Sequence, residues 1–307
     1  MIKFQINIYF NLDLIFPTHY IVCLKIIRHN KHKDDQIKPK EANMIKLIIT
    51  DLDGTFLNDQ GDYDRDLFRQ VNDLMAKQNI QFVACTGKQC ERVEELFGSY
   101  SDKIWIVGDS ATAIKHNGEF VYRSFIQNQI GQRIIATLEQ ASKEHVIIAC
   151  TSNGAVIKSN LPAHLKQKVR GSYTTIIEVD DLTTITDDFI KITVYDENGQ
   201  CPQTRTHLTP YENDVYIVVS EAAWIDITEY NVHKGNTIKK LQQMLNVTYH
   251  ETMAFGDGYN DIELLEQANY SFAMRNAFDE TKAVAKFITG SNNESAVMKT
   301  IQLMLAL

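Results

Sequence analysis

Residues 45–55 read Ile-Lys-Leu-Ile-Ile-Thr-Asp-Leu-Asp-Gly-Thr, an apolar run that stops abruptly at two carboxylates and a glycine. Ile45, Leu47, Ile48 and Ile49 form the almost continuous apolar stretch expected of a strand covered on both faces. In a chain still extended, Asp51 and Asp53 project to similar sides, and Gly54 lets the backbone turn sharply without a Cβ penalty. Two carboxylates so close repel each other unless a cation lies between them or one keeps a proton. Either solution is chemically useful, because an ionised carboxylate can act as a nucleophile while a protonated one supplies a leaving oxygen with its proton. A plain Asp-Gly turn with incidental acids is the bland alternative. Four fixed positions arise by chance in roughly one of several hundred chains of this length, which favours the chemical reading.

Working outward, the apolar spacing of Leu67, Phe68, Val71, Leu74 and Met75 predicts a helix over about 64–78, and Ile80 to Cys85 a second strand. Strand, helix, strand is a crossover that joins parallel strands with right-handed connection. A helix over 90–97 and a strand over 104–107 continue the alternation. It returns late in the chain, with helices over 235–245 and 261–267, strands over 252–256 and 270–274, and a terminal helix burying Val297, Ile301, Met304 and Leu305. Between about Ser124 and Ala223 the strands, at 174–179, 189–195 and 215–220, are richer in alternation and Thr. Helical segments near 130–143, 161–169 and 201–208 separate them. The expected fold is α/β: residues 44–123 and 224–307 build a doubly wound parallel sheet, and 124–223 form an inserted α+β cap.

Two further clusters follow predicted strands. Gly256-Asp257-Gly258-Tyr259-Asn260-Asp261 offers hard oxygen ligands on a tight turn, a pattern that suits Mg²⁺, although Asp261 is also placed to cap a helix. In Cys85-Thr86-Gly87-Lys88-Gln89, the Thr86 hydroxyl and neighbouring amides precede a helix and are placed to hold a phosphate oxygen. Lys234 opens a helix, where the dipole disfavours a cation and so hints at an anionic neighbour. Each lysine taken singly is more often a solvated surface residue than a ligand.

Composition narrows the function classes. The 307 residues carry 39 acidic and 31 basic side chains, a formal charge of -8 that argues against a nucleic-acid partner. The five cysteines are scattered without metal-site spacing, which fits a reducing cytoplasm and neither zinc nor a disulfide framework. Residues 1–43 hold seven Lys or Arg against four Asp or Glu, so the basic charge belongs to this extension. Asn11, Asp13, Pro17 and His19 break its apolar stretch well short of the roughly 18 residues that a membrane span requires. The extension is read as lying outside the fold, with Met44 as the physiological start; a loose membrane-surface anchor is the runner-up. No stable membrane span is expected, and no heptad or apolar patch suggests an oligomeric state.

Taken in order, DLDGT at 51–55, Thr86, Lys234 and GDGYND at 256–261 resemble the four motifs of the haloacid dehalogenase superfamily of phosphohydrolases. The large insert, FLND at 56–59 and SFAMRNA at 271–277 are similar to the Cof-type (subclass IIB) branch, and Thr-Gly-Lys-Gln at 86–89 resembles its sugar-phosphate phosphatases. The resemblance covers nearly everything from Met44 to Leu307. It implies a cytoplasmic, Mg²⁺-dependent phosphatase of small phosphate monoesters, sugar phosphates first and FMN or pyridoxal phosphate next. It implies that Asp51 attacks phosphorus to form an aspartyl-phosphate and that Asp53 is the general acid and base. Asp51, Asp53 through its backbone carbonyl, and Asp257 would hold the metal, with Asp261 and Asn260 in support. Thr86 and Lys234 would bind the phosphoryl group, and Gly54, Thr55, Gly87, Lys88 and Asn260 would line the substrate site. A phosphotransferase or mutase and a non-catalytic phospho-ligand regulator are the competing classes. Three positions depart from the family pattern: Lys88, Asp109 where an Asn-Gly pair is usual, and Arg275 where Gly is common. An added acid and base at the rim would pair with each other or alter which substrate is accepted. In the insert, Asn153-Gly154 and Lys191 are the candidates for specificity.

Overall fold

A computed structural model describes residues 45–306. The extension 1–43 and the proposed start at Met44 lie outside the described residues. In chain order the elements are β1 (Leu47–Thr50), α1 (Arg65–Lys77), β2 (Gln81–Cys85), α2 (Cys90–Phe97), β3 (Trp105–Gly108), β4 (Ala113–His116) and β5 (Glu119–Arg123). Then come α3 (Asn128–Ala141), β6 (Val146–Thr151), β7 (Gly154–Lys158), α4 (Ala163–Arg170), β8 (Ile176–Val179), β9 (Lys191–Tyr195), α5 (Cys201–Thr206), β10 (Val215–Glu221) and β11 (Trp224–Glu229). The chain closes with α6 (Lys234–Leu245), β12 (Thr252–Gly256), α7 (Ile262–Leu265), β13 (Tyr270–Ala273), α8 (Asp279–Val284), β14 (Phe287–Ile288) and α9 (Ala296–Leu305).

The first sheet runs β14-β13-β12-β1-β2-β3-β4-β5, parallel from β14 to β3 and finished by the antiparallel β4 and β5. Helices cover both of its faces, which is why Leu47, Ile48 and Ile49 of β1 are all apolar. Ile48 packs with Val71 of α1, Val93 of α2 and Val297 of α9, while Leu47 and Ile49 pack with Ile238 and Leu241 of α6. From β1 the chain moves first to β2 and β3 on one side and only later to β12 and β13 on the other. The β1/β12 boundary is therefore the switch point, beyond whose carboxyl edge open α/β sheets bind their ligands.

The second sheet, β10-β11-β9-β6-β7-β8, is mixed, with only β7 and β8 parallel. It takes in β11, whose residues lie past Ala223, the expected end of the insert. Alternation sorts its faces. Ile192 and Val194 of β9 and Ile225 and Ile227 of β11 pack beneath α3 and α5. Lys191, Thr193, Trp224 and Asp226 point the other way, and all four line the cavity between this sheet and the carboxyl edge of the first.

Candidate active site

Three strand ends supply the centre of the site. Asp51 follows β1 directly, and its amide donates to the Phe255 carbonyl of β12 at 3.0 Å, which locks the two strand ends together. Gly54 turns with φ +75°, and a Cβ there would run into the Asp257 carboxylate. Only glycine lets the turn pass so close to the acid on the neighbouring loop. Thr55 Oγ1 donates to Asp257 Oδ1 at 2.5 Å, so residues from both ends of the chain meet here. Asp261 accepts from the amides of Asp257 and Gly258 through Oδ2, at 2.9 and 3.0 Å. It thereby closes the tight turn ahead of α7, and its side chain makes no capping bond to that helix, contrary to the capping reading of the sequence.

Lys234, at the start of α6 and only 3% exposed, bonds Asp51 Oδ1 at 2.5 Å and Asp261 Oδ1 at 2.6 Å. Burial alone would depress its pKa, but attraction from Asp261 and Asp51 outweighs that cost and holds the ammonium charged. Its position at a helix N-terminus is thus explained by two anionic neighbours. The carboxylates fare worse. Burial first, then repulsion from Asp261, pushes Asp51 well above its ordinary value, and the same two causes raise Asp257 to about 7. Asp51, Asp257 and Asp261 each offer a carboxylate oxygen within 4.8 Å of the others. With all three acids ionised, one ammonium would leave two negative charges uncompensated in this largely buried triangle. A divalent ion with hard oxygen preference balances them, so the donor set fits Mg²⁺. Both oxygens of Asp261 are already engaged, whereas among the described residues Asp51 Oδ2 and Asp257 Oδ2 accept no hydrogen bond. The freer oxygens therefore belong to Asp51 and Asp257.

Asp53 stands apart from that triangle. Its side chain is 55% exposed and its Oδ2 lies 2.8 Å from Lys88 Nζ. Thr86, buried at the end of β2, donates its amide to the Val107 carbonyl at 2.9 Å and accepts the Lys88 amide on Oγ1 at 3.2 Å. Asp51, Asp53, Thr86, Gly87, Lys88, Asn260, Asp257 and Asp261 line one cavity of about 640 Å³. Gly54, Thr55 and Lys234 form the shell immediately behind it.

The departures from the family pattern fall in different places. Arg275 does not pair with Asp109; it bonds Glu294 at 2.6 Å, while Asp109 is buried with an oxygen 3.4 Å from the Cys90 amide. Of the candidates in the insert, Lys191 reaches the cavity, but Asn153 bonds Asp187 and does not line it. Asp226, Trp224 and Lys168 also line the cavity and were not anticipated. The available signal was Trp-Ile-Asp-Ile-Thr-Glu at 224–229, a strand with apolar residues on one face and an acid on the other. Asn276, whose Nδ2 donates to the Gly54 carbonyl at 2.7 Å, was likewise missed as a support for the turn after Asp51.

Comparison with known proteins agrees with this geometry. The profile of the haloacid dehalogenase-like hydrolase family matches residues 48–301. The chain is 32% identical over 262 residues to 5-amino-6-(5-phospho-D-ribitylamino)uracil phosphatase YbjI of Escherichia coli, covering 85% of this chain and 96% of that one. It is 24% identical over 262 residues to the Bacillus subtilis phosphatase of the same name, YcsE, covering 84% and 95%. Among solved structures, SMU.1108c from Streptococcus mutans superposes with a TM-score of 0.82 at 28% identity, covering 86% of this chain and all of that one. The subclass IIB sugar phosphatase BT4131 shares the fold at a TM-score of 0.73 and 20% identity, covering 85% of this chain and all of that one. With its motifs converging on one sheet edge beneath an inserted cap, the chain belongs to the haloacid dehalogenase-like hydrolase family, as a Cof-type phosphatase of phosphomonoesters.

Proposed function

We propose that the protein is a Mg²⁺-dependent phosphatase of phosphorylated sugars or sugar alcohols, acting through a phosphoryl group carried on Asp51. The observation that carries this reading is the triangle of Asp51, Asp257 and Asp261, two of whose acids, Asp51 and Asp261, share the buried ammonium of Lys234. Asp51 and Asp257, with the Asp53 carbonyl, would hold the ion, which when bound keeps Asp51 ionised and offsets negative charge on the phosphoryl oxygens. Asp51 attacks phosphorus as the ester bond to the leaving alcohol breaks, and Asp53 delivers its proton to the departing oxygen. Water then attacks the aspartyl-phosphate and gives a proton to Asp53, which releases inorganic phosphate and regenerates the Asp51 carboxylate and the protonated Asp53. Asp53 suits proton transfer because it faces the cavity and stands outside the carboxylate triangle. Thr86 and Lys234 neutralise and orient the transferring group, the main task of a protein in phosphoryl transfer.

The cavity volume of about 640 Å³ leaves room for an organic group well beyond the phosphate. Lys168, Thr193, Glu221 and Asp226 line its far side with donors and acceptors, and Trp224 and Phe278 add aromatic surface. Such walls suit a hydroxyl-rich chain, with a ring tolerated beside it. The two relatives named for a phosphoribitylaminouracil are consistent with that chemistry. A panel of sugar phosphates, sugar-alcohol phosphates, the phosphoribitylaminouracil, FMN and pyridoxal phosphate, assayed with Mg²⁺ and with chelator, tests the proposal. Phosphate release that needs the ion and favours the polyol esters supports it; release unaffected by chelation overturns the metal assignment.

A further inference from the structure

The loop Thr86 to Lys88 has three carbonyls, and they are held from two different domains. The amides of Ser110 and Asp109 donate to the Thr86 and Lys88 carbonyls at 3.2 and 2.8 Å, both from within the catalytic domain. The Gly87 carbonyl between them accepts instead from Lys191 Nζ of the cap, at 2.6 Å. Lys191 is 1% exposed. It also donates to Ser110 Oγ at 3.0 Å, while its neighbour on the cap sheet, Asp226, is 3.7 Å away. The shortest bonds of this ammonium thus leave its own domain.

The other side of the same peptide unit gives those bonds a consequence. In a trans peptide the C=O and N–H point in opposite directions, so fixing the Gly87 carbonyl also fixes the Lys88 amide. That amide donates to Thr86 Oγ1 at 3.2 Å. A hydroxyl oxygen that accepts from behind keeps its own proton available in front, where Thr86 lines the cavity beside Asp51. A second cap contact, between Gln89 and residues Ser172 and Thr174, grips the loop further on, but its side-chain bonds are exposed and do not touch the 87–88 peptide. A hydrogen bond from a buried ammonium is the stronger constraint.

We propose that Lys191 is a positioning residue which, through the Gly87 carbonyl, orients the Thr86 hydroxyl toward the phosphoryl group. Docking of the cap and assembly of the phosphoryl-binding loop are then one event. This inference rests on the phosphatase reading of Thr86 given above.

The test uses the full chain and two variants. Lys191→Met combined with Asp226→Asn removes the ammonium without stranding the Asp226 carboxylate beside it, and Lys191→Arg keeps a charged donor. Amide hydrogen exchange is followed at Lys88, and p-nitrophenyl phosphate hydrolysis is measured as kcat and KM separately. In the double variant, exchange at Lys88 should accelerate at least about tenfold while the core strands keep their protection. Its kcat should fall at least about tenfold with KM little changed, and Lys191→Arg should recover part of the loss. Unchanged exchange at Lys88 overturns the proposal whatever the activity. A loss confined to KM also overturns it, because Lys191 would then be a contact for the leaving group. If the wild-type chain releases no phosphate from any ester, the phosphatase reading falls, and the exchange measurement still decides the role of Lys191.

Discussion

Asp109→Asn should stabilise the protein above pH 6 and change it little near pH 4. Burial, the largest influence, raises the Asp109 carboxyl from 3.8 to about 6, with Lys191 opposing the rise. Between those values the native state keeps a proton that the unfolded chain has lost. Stability therefore falls as pH rises through this window, and the full deficit is present above it. A difference of about 2 units at 1.36 kcal/mol per unit gives ~3 kcal/mol. Asn carries no such penalty and keeps a side-chain oxygen for the Cys90 amide, 3.4 Å away in the native chain. It also suits the backbone, since Asp109 leads a run of three left-handed residues with φ of 52°, 58° and 71°, where Asn is tolerated better than most side chains. Thermal unfolding of wild type and variant from pH 4 to pH 7.5 measures the effect. The gap should open with pH and reach roughly 6–12 °C, at about 2–4 °C per kcal/mol. A gap that is constant with pH, or a variant less stable than wild type at pH 7.5, would refute the reasoning.

Asp53→Asn should lower kcat at least about a hundredfold, the low end of general acid catalysis. Mg²⁺ affinity by direct titration should be nearly unchanged, because the Asp53 carboxylate is directed at Lys88 and stands outside the triangle of acids; a variant that loses the metal contradicts this placement. Gly54→Ala forces a side chain into left-handed backbone and against the Asp257 carboxylate. It should cost at least about 1 kcal/mol by urea unfolding and weaken Mg²⁺ binding, and a variant unchanged in both would show that the turn has more room than described.

Much of the catalytic domain was legible because each element repeats one physical signal. The run before Asp51 could only be a doubly covered strand, and the helix read over 90–97 is the one found, burying Cys90, Val93 and Phe97. The hairpin β4–β5 escaped notice because Lys115 interrupts its apolar pattern. In the fold that ammonium lies against Glu91 and Glu94 of α2, partners no local reading supplies. The helix expected over 261–267 shrinks to Ile262–Leu265, since Asp261 is spent on closing the preceding turn. At the candidate site, the acids of the 51–55 and 256–261 turns were readable because each group sits within five or six consecutive positions. Asp226 was not, because only its alternation within β11 and the packing of the cap bring it to the cavity. Asn153-Gly154 looked functional, but Asn153 lies in the two-residue turn between β6 and β7 and Gly154 opens β7 opposite Thr151, so the pair closes a hairpin.

The most direct measurement is Mg²⁺-dependent release of phosphate from an aryl phosphate by Asp51→Asn, with circular dichroism and thermal unfolding establishing that the variant is folded. Asn retains the size of Asp51 and an oxygen for Lys234, whose bond to Asp51 Oδ1 is 2.5 Å in the wild-type chain, but it cannot attack phosphorus to form the acyl phosphate. Activity should fall at least about a thousandfold in a folded protein. A folded variant that keeps a tenth or more of wild-type turnover would contradict covalent catalysis at Asp51.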